Sequence, residues 1–83
     1  VSVVGRVARA FCSLAQGLGE ELDDGRILLS HRITQTDIAA MAGVARENAS
    51  RAVNELMRNG IIGRLKGYYV IERPDELHEM ATI

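Results

Sequence analysis

The 83-residue sequence lacks the residues that would build a disulfide, a metal site or a membrane span. It has a single cysteine, Cys12, which has no partner for an internal disulfide, and its only histidines are His31 and His78. No run approaches about 18 consecutive apolar residues, and no charged segment followed by an apolar segment and a cleavage site opens the chain. We therefore expect no metal site, no contact with a membrane and a cytoplasmic location.

Tryptophan is absent and proline occurs once, while 47% of the residues are hydrophobic and 25% are charged. This composition excludes collagen and disordered chains and is typical of a globular domain. We assign residues 1–83 to one domain, which has little room for a large active-site cavity. No enzyme is expected, because Ser50 lacks the glycines of a nucleophile elbow and no carboxylate–histidine pair accompanies it.

The net charge of −1 hides a segregation of charge along the chain. Residues 1–30 have a net charge of −1 and residues 67–83 a net charge of −3. Residues 31–66 have six cationic side chains against three carboxylates, a net charge of +3. An asymmetry of this kind indicates a surface that faces a polyanion.

The first part of the chain predicts a helix, a loop and a strand. Apolar residues recur over residues 4–18 with the spacing of an amphipathic helix, which Gly17 and Gly19 are expected to end. Residues 19–25 predict a polar, acidic loop, and residues 26–30 predict a short strand.

Two helices joined by a turn are predicted next. Thr34 is placed to cap the first helix, with Asp37 completing a shortened capping box, and Gly43 supplies the positive φ that the turn requires. The second helix is predicted over residues 46–59, with Gly60 as the left-handed residue after it. Small and aliphatic residues occupy the positions where two crossing helices pack, namely Ile38, Ala39, Ala42, Val44, Ala49 and Ala52. This pattern predicts a helix-turn-helix.

A β-hairpin and a closing helix complete the chain. The extended runs 61–65 and 68–72 flank a two-residue turn, and residues 75–81 predict a short helix. Because neighbouring strand residues point to opposite faces, one of Tyr68 and Tyr69 is expected in the core and the other on the surface. The predicted fold is mainly α with a small antiparallel β-sheet, a winged helix-turn-helix.

A family resemblance runs through this region. The run from Ile33 to Ile62 resembles the DNA-binding half of bacterial regulators of the cyclic AMP receptor protein and fumarate-nitrate reductase regulator (CRP/FNR) superfamily. Its most specific part is Arg46-Glu47-x-x-Ser50-Arg51. The flanking segments have the same layout, so the resemblance covers essentially the whole chain. It implies sequence-specific binding of double-stranded DNA for transcription regulation.

The resemblance implies that the second helix lies in the major groove and presents Arg46, Glu47, Ser50 and Arg51 to base edges. The residue types suit this role, because arginine donates two parallel hydrogen bonds to guanine and a carboxylate accepts one from cytosine. The other interpretation of Glu47 is an ion pair with Arg51 at i+4, worth about 0.2–0.5 kcal/mol.

Phosphate contacts are implied at the start of the first helix of the pair and in the wing, at Thr34, Gln35, Thr36, Arg64, Lys66 and Gly67. For each of them a solvated surface position is an equal alternative. Ala45 departs from the family, whose members commonly have a capping serine there, and the departure predicts an affinity lower by about 1 kcal/mol.

The resemblance also implies partners outside the chain. In the family an effector-binding domain and a long dimerisation helix precede this region, so we expect a C-terminal part of a homodimeric regulator and a pseudo-palindromic DNA site. No cofactor is expected in the chain itself, because a cyclic nucleotide or other effector would bind the missing domain. The acidic residues 20–24 match the place where the cyclic AMP type contacts RNA polymerase, although a solvated loop is the simpler interpretation.

Two other functions fit the same fold. A winged helix of another regulator family, such as the GntR-like group, also has arginine and serine early in this helix, but it requires a metabolite-binding domain after the wing. A winged helix that binds protein or RNA could use Tyr68 and Tyr69 to stack on bases.

Overall fold

A computed structural model describes residues 2–82 as four helices and a four-stranded sheet. In chain order the helices and strands are α1 Val3–Leu18, β1 Gly19–Glu21, β2 Ile27–Leu29, α2 Gln35–Ala42, α3 Arg46–Arg58, β3 Ile62–Leu65, β4 Tyr68–Ile71 and α4 Pro74–Ala81. The strand order is β1-β2-β4-β3, and every neighbouring pair is antiparallel. The prediction of a mainly α winged helix-turn-helix with a small antiparallel sheet is confirmed. Within residues 2–82 no helix has the length and apolar character needed to cross a membrane.

The core lies between α1, α4, the helix pair and the sheet. Its fully buried large side chains are Val7, Phe11, Leu29, Ile38, Val53, Leu56, Ile62, Tyr69, Val70, Ile71 and Leu77. The rings of Phe11 in α1 and Tyr69 in β4 meet edge to face, with 5.2 Å between their centroids. Such a pair adds about 0.5–1.5 kcal/mol beyond the burial of apolar area. The two tyrosines divide as expected, because Tyr69 is buried and Tyr68 is only half-buried.

Helix α1 begins and ends close to the predicted positions. The hydroxyl of Ser2 accepts a hydrogen bond from the Gly5 amide at its start, and Gly19 is its C-cap. Gly17, which was expected to help end the helix, lies within its last turn. Near the middle of α1, the Arg9 guanidinium donates to the carbonyl of Ala81 at the end of α4, so the two helices are joined at their polar edges as well as in the core.

The helix-turn-helix has the local geometry that its sequence predicts. The hydroxyl of Thr34 accepts from the Asp37 amide at 3.1 Å, and the Asp37 carboxylate accepts from the Thr34 amide at 2.9 Å, which completes the capping box. Gly43 has a φ of 70° at the turn. The packing positions Ile38, Ala39, Ala49 and Ala52 are buried, while Ala42 and Val44 are half-buried. The alanines among these positions have side chains small enough to let α2 and α3 cross closely.

Helix α3 has one apolar face and no side-chain cap. Its buried residues are Ala49, Ala52, Val53 and Leu56, the stripe that the i, i+3, i+4, i+7 spacing predicts. Ala45 is the N-cap and forms no capping hydrogen bond through its side chain. Gly60, with a φ of 71°, follows the helix in the left-handed conformation, as predicted.

The wing is the hairpin of β3 and β4. Leu65 pairs with Tyr68 across its turn, whose two central residues, Lys66 and Gly67, have φ values of 53° and 85°. Positive φ at both central residues gives the type I′ twist that matches paired strands. The predicted hairpin is confirmed, and β4 lies inside the sheet between β2 and β3.

The prediction of a loop over residues 19–25 is wrong at its start, because Gly19–Glu21 forms an edge strand paired with β2. All three of its residues are exposed, so the strand has no alternation of apolar and polar side chains to reveal it. An edge strand needs ladder hydrogen bonds on one side only, and acidic side chains protect its free edge. A Cβ on Gly19 would overlap the carbonyl oxygen of Ala15 and lie 2.7 Å from Cγ2 of Ile27, so the tight exit from α1 requires glycine.

Candidate nucleic-acid interface

The outer face of α3 carries the four side chains predicted to contact bases. Arg46, Glu47 and Arg51 are exposed, and Ser50 is half-buried. Their helix is fixed from behind by its buried apolar stripe, so the polar face cannot turn inward without exposing the core. The four residues fall within the first two turns of α3, the part of such a helix that contacts base edges in the major groove.

One surface depression joins these four residues to the start of α2. It has a volume of about 320 Å³ and is lined by Gln35, Arg46, Glu47, Ser50 and Arg51. Gln35 is the first residue of α2 and follows the Thr34 cap. The structure therefore brings the four candidate base-contacting residues together with Gln35, a candidate phosphate-contacting residue. Gln35 precedes the first of them, Arg46, by more than ten positions in the sequence.

The start of α2 keeps donors available on its surface. Thr34 and Thr36 are exposed, and the capping box uses the Thr34 hydroxyl only as an acceptor. A hydroxyl that accepts one hydrogen bond still has its own proton to donate. The backbone N–H of Thr34 holds the pKa of the Asp37 carboxyl below its usual range, with a further contribution from the Thr34 side chain. Asp37 is therefore occupied by the helix start.

Glu47 and Arg51 do not form the ion pair that their spacing allows. The ion pairs found within residues 2–82 are those of Arg26 with Asp24 and Glu72, and of Arg73 with Glu76. Arg51 instead donates from Nη2 to Oδ1 of Asn48. This leaves the carboxylate of Glu47 exposed.

None of the cationic side chains of the basic segment takes part in an ion pair of the described residues 2–82. The six are all exposed: Arg32, Arg46, Arg51, Arg58, Arg64 and Lys66. The two arginines that do form ion pairs, Arg26 and Arg73, lie outside the segment. No ion pair among the described residues therefore neutralises the cations of residues 31–66, which are available to a polyanion.

The wing presents Lys66 and Gly67 at its tip, where both are exposed. Arg64, one of the predicted phosphate contacts, is engaged within the wing. Its guanidinium donates to the Gly67 carbonyl at 3.2 Å and to the Tyr69 hydroxyl at 3.1 Å, and its central carbon lies 4.3 Å from the centroid of the Tyr69 ring. The Arg32 guanidinium lies 5.8 Å from the Tyr68 ring centroid, so the segment that leads into α2 contacts the wing.

Sequence reasoning missed the partners of these arginines. Asn48 precedes Arg51 by three residues, a spacing at which side chains on a helix are neighbours. Arg64 and Tyr69 are directly opposite across the hairpin, a register that follows from a two-residue turn. Both signals were present in the sequence. The burial of Tyr69 also removes the suggested use of that ring for base stacking.

Two further observations bear on cofactors. No group of three or more side chains with metal-ligating chemistry occurs among residues 2–82. Burial raises the pKa of the half-buried Cys12 thiol, so the thiolate is disfavoured there.

Helices α2 and α3 joined by a tight turn, a hairpin directly after them and a polar outer face on α3 define a winged helix-turn-helix of the kind that binds duplex DNA. The chain belongs to the family of Crp-like helix-turn-helix domains, which matches residues 5–80. It is therefore a sequence-specific DNA-binding domain of the type found in transcription regulators. This match does not support the GntR-like alternative.

Similar proteins agree with this assignment. A CRP-like cAMP-activated global transcriptional regulator of Mycobacterium tuberculosis is 36% identical over 69 residues, which are 83% of this chain and 30% of that protein. A CRP/FNR family transcriptional regulator from Thermus thermophilus has a TM-score of 0.82 and 28% identity, covering 99% of this chain and 41% of that one. The catabolite activator protein of the same organism has a TM-score of 0.76 and 30% identity, and the match covers 96% of this chain and 34% of that one. The chain thus spans about a third of the length of these relatives.

Proposed function

We propose that α3 enters the major groove and reads bases through Arg46, Glu47, Ser50 and Arg51. The observation that carries the proposal is the depression that these residues share with Gln35, where two guanidiniums lie beside the Glu47 carboxylate, which is in none of the ion pairs of residues 2–82. A purely electrostatic grip on phosphates would be weakened by a carboxylate at its centre. In base reading the carboxylate has a role, because it can accept a hydrogen bond from cytosine.

Each side chain has a partner among the base edges. Arg46 and Arg51 donate to O6 and N7 of guanine, Glu47 accepts from N4 of cytosine, and the Ser50 hydroxyl donates or accepts. A well-placed bidentate contact discriminates against a wrong base by about 1–3 kcal/mol. Arg51 donates one hydrogen bond to Asn48, so four of the five N–H donors of its guanidinium remain for the bases.

Contacts to the DNA backbone come from α2 and the wing on this proposal. Thr34, Gln35 and Thr36 approach a phosphate with the positive end of the α2 dipole, and Lys66 and Gly67 approach a second one from the wing tip. The exposure of these residues supports the assignment for all but Gln35, which is half-buried. Such contacts fix the position of α3 on the duplex and carry no sequence information themselves.

The proposed binding unit is a pair of these domains in a homodimer on a pseudo-palindromic site. A two-fold dimer places two recognition helices about 34–36 Å apart, so each meets the major groove one helical turn from the other. One copy of the chain is then expected to bind a half-site weakly. Binding to chromosomal DNA would place the protein in the cytoplasm, and contact of residues 20–24 with RNA polymerase stays a prediction.

We also propose that base reading needs no cofactor within this chain. The chemistry assigned to the site consists of hydrogen bonds from side chains and needs neither a metal ion nor a nucleotide. The mycobacterial relative is named as cAMP-activated. For a regulator that contains the present domain, we propose that a cyclic nucleotide or other effector acts by placing two copies on DNA.

Selection from random duplex DNA, followed by fluorescence anisotropy on the enriched sequence, tests the proposal. The chain should enrich a half-site, and a scrambled duplex of the same length should bind more weakly in the same buffer, with EDTA present and cyclic AMP absent. Titrations at several salt concentrations separate the phosphate contribution, because log K falls with log salt by about 0.9 per phosphate neutralised. Equal affinity for enriched and scrambled duplexes at every salt concentration would contradict it.

A further inference from the structure

Arg64 makes three contacts inside the wing. It lies in β3 directly opposite Tyr69 in β4. One nitrogen of its guanidinium donates to the Tyr69 hydroxyl, the other terminal nitrogen donates to the Gly67 carbonyl, and the group lies over the Tyr69 ring at 4.3 Å from the centroid. A flexible surface arginine is not expected to satisfy a ring face, a hydroxyl and a backbone carbonyl together unless its position is fixed.

The anchor of these contacts is rigid. Tyr69 has 1% of its surface exposed, and its ring packs edge to face against Phe11 in α1. Its hydroxyl is satisfied by Arg64, and a buried tyrosine usually requires such a partner. The guanidinium thus connects the tip of the wing to the core through one buried ring.

The turn that Arg64 contacts is one that needs support. Lys66 has a φ of 53°, a left-handed conformation that is unfavourable for a residue with a Cβ, and Gly67 follows with a φ of 85°. The hydrogen bond from Arg64 to the Gly67 carbonyl holds this turn from beneath. Lys66 itself is exposed and takes part in none of the ion pairs of residues 2–82.

We propose that Arg64 is a positioning residue of the wing, which holds the Lys66–Gly67 turn on Tyr69 so that Lys66, and not Arg64, neutralises the phosphate. This assignment rests on the proposed mode of DNA binding, and it replaces a direct phosphate contact at Arg64. Its basis is that the guanidinium of this exposed residue already uses one face and two of its nitrogens in contacts within the wing. Lys66 takes part in none of the ion pairs that the structure shows within residues 2–82.

Two exchanges of side chain distinguish the roles. Arg64→Lys keeps the positive charge but loses the planar fork that reaches both acceptors and stacks on the ring. Tyr69→Phe keeps the ring and removes only the hydroxyl. If Arg64 is a positioning residue, Arg64→Lys weakens DNA binding although the charge is retained, and Tyr69→Phe has a smaller effect of the same kind. Arg58→Lys, at an exposed arginine of α3, is the matched control for the exchange itself.

A double-mutant cycle with Lys66→Ala is the deciding experiment on DNA. For a positioning residue, adding Arg64→Lys to Lys66→Ala has little further effect, so the two losses fall short of additive by about threefold or more in Kd. For an independent phosphate contact, the loss caused by Arg64→Lys is the same whether Lys66 is present or replaced by Ala, so the two losses add in full. Arg64→Ala and Lys66→Ala would then add, each lowering the salt slope by about 0.9. That second set of results overturns the proposal.

Amide hydrogen exchange of the free chain separates this inference from the proposed function. The amides of Leu65 and Tyr68, the pair that closes the turn, should exchange about fivefold to tenfold faster in Arg64→Lys, with the helix amides unchanged. Unchanged wing amides overturn the positioning role whatever happens on DNA. Faster wing amides in a chain that fails to select any DNA sequence would support the hold of Arg64 on the turn and refute the proposed base reading by α3 instead.

Discussion

Arg51 donates a hydrogen bond to Oδ1 of Asn48, one helical turn earlier on α3. The two side chains also line a second depression, on the flank of α3 next to the start of α1. Because Asn48 is neutral and half-buried, it orients Arg51 without cancelling its charge. Glu47, which the i+4 spacing offers as the competing partner, stays outside this contact. The arrangement keeps one cationic and one anionic group separately available on the same face.

Replacing Arg51 by Ala should weaken binding to the selected duplex by about 1–3 kcal/mol and relax the preference at one base pair. Asn48→Ala should affect the same base pair to a smaller extent, because the guanidinium remains but is no longer oriented. Fluorescence anisotropy against all single-base variants of the site measures both effects.

Lys66→Ala is the control for these two variants. Its loss should be about equal on every duplex, with the salt slope lowered by about 1, since a phosphate contact is independent of sequence. If Arg51→Ala and Lys66→Ala gave equal losses on selected and random DNA, the assignment of Arg51 to base reading would be wrong.

Ala45→Ser should stabilise the chain and strengthen DNA binding. Ala45 is the N-cap of α3 and provides no side-chain hydrogen bond, whereas serine would satisfy one amide of the first turn for a gain of about 1 kcal/mol. The same hydroxyl would lie beside Arg46 and could donate to a phosphate. Urea unfolding and anisotropy measure the two gains.

Ala40→Ser controls for adding a hydroxyl to a helix. Ala40 is exposed within α2, away from either cap, and serine is a weaker helix former than alanine there. It should leave stability unchanged or slightly reduced. An equal stabilisation by both exchanges would mean that capping is not the cause.

Gly43→Ala should destabilise the helix-turn-helix by about 1–2 kcal/mol. Gly43 has a φ of 70°, and a Cβ added there would meet nothing within 4 Å, so the effect would come from backbone strain alone. Gly17→Ala is the control and should change the free energy of unfolding in the opposite direction. Gly17 lies in α1 with equally open surroundings, and alanine there should stabilise by about 0.5–1 kcal/mol. Urea unfolding of both variants gives the comparison, and a loss of stability in both would exclude φ as the cause.

The parts of the fold that depend on burial or on backbone conformation could be predicted from the sequence. The apolar stripe of α3 follows from its spacing, and the turn at Gly43 and the hairpin turn at Gly67 follow from glycines, which accept positive φ. Strand β1 could not be predicted, because an exposed acidic edge strand buries nothing and leaves no periodic pattern. Its existence depends on the β2 ladder, which is a tertiary contact.

The candidate site divides in the same way. That Arg46, Glu47 and Arg51 share one exposed face follows from helical geometry, and the structure confirms their exposure. Which partner each arginine takes does not follow from it, since i−3 and i−4 neighbours on a helix surface lie at similar distances. For Arg64 the deciding partner was a buried hydroxyl on the next strand, and its availability depends on how Tyr69 packs against α1.

The capping box of α2 should make stability depend on acid pH. The Thr34 amide lowers the pKa of Asp37 in the folded chain, below the value of about 3.9 in the unfolded one. A group whose pKa is depressed by folding contributes stability that is complete above its unfolded pKa and is lost as pH falls through its folded pKa.

Asp37→Asn should therefore be less stable than the unmodified chain by a constant amount at pH 5–7, and the difference should shrink below about pH 4. Asp24, whose pKa is lowered first by the Arg26 amide, titrates in the same direction but is common to both proteins. Urea unfolding from pH 3 to pH 7 measures the difference, and one that stays constant into acid would show that the Asp37 charge does not stabilise the start of α2.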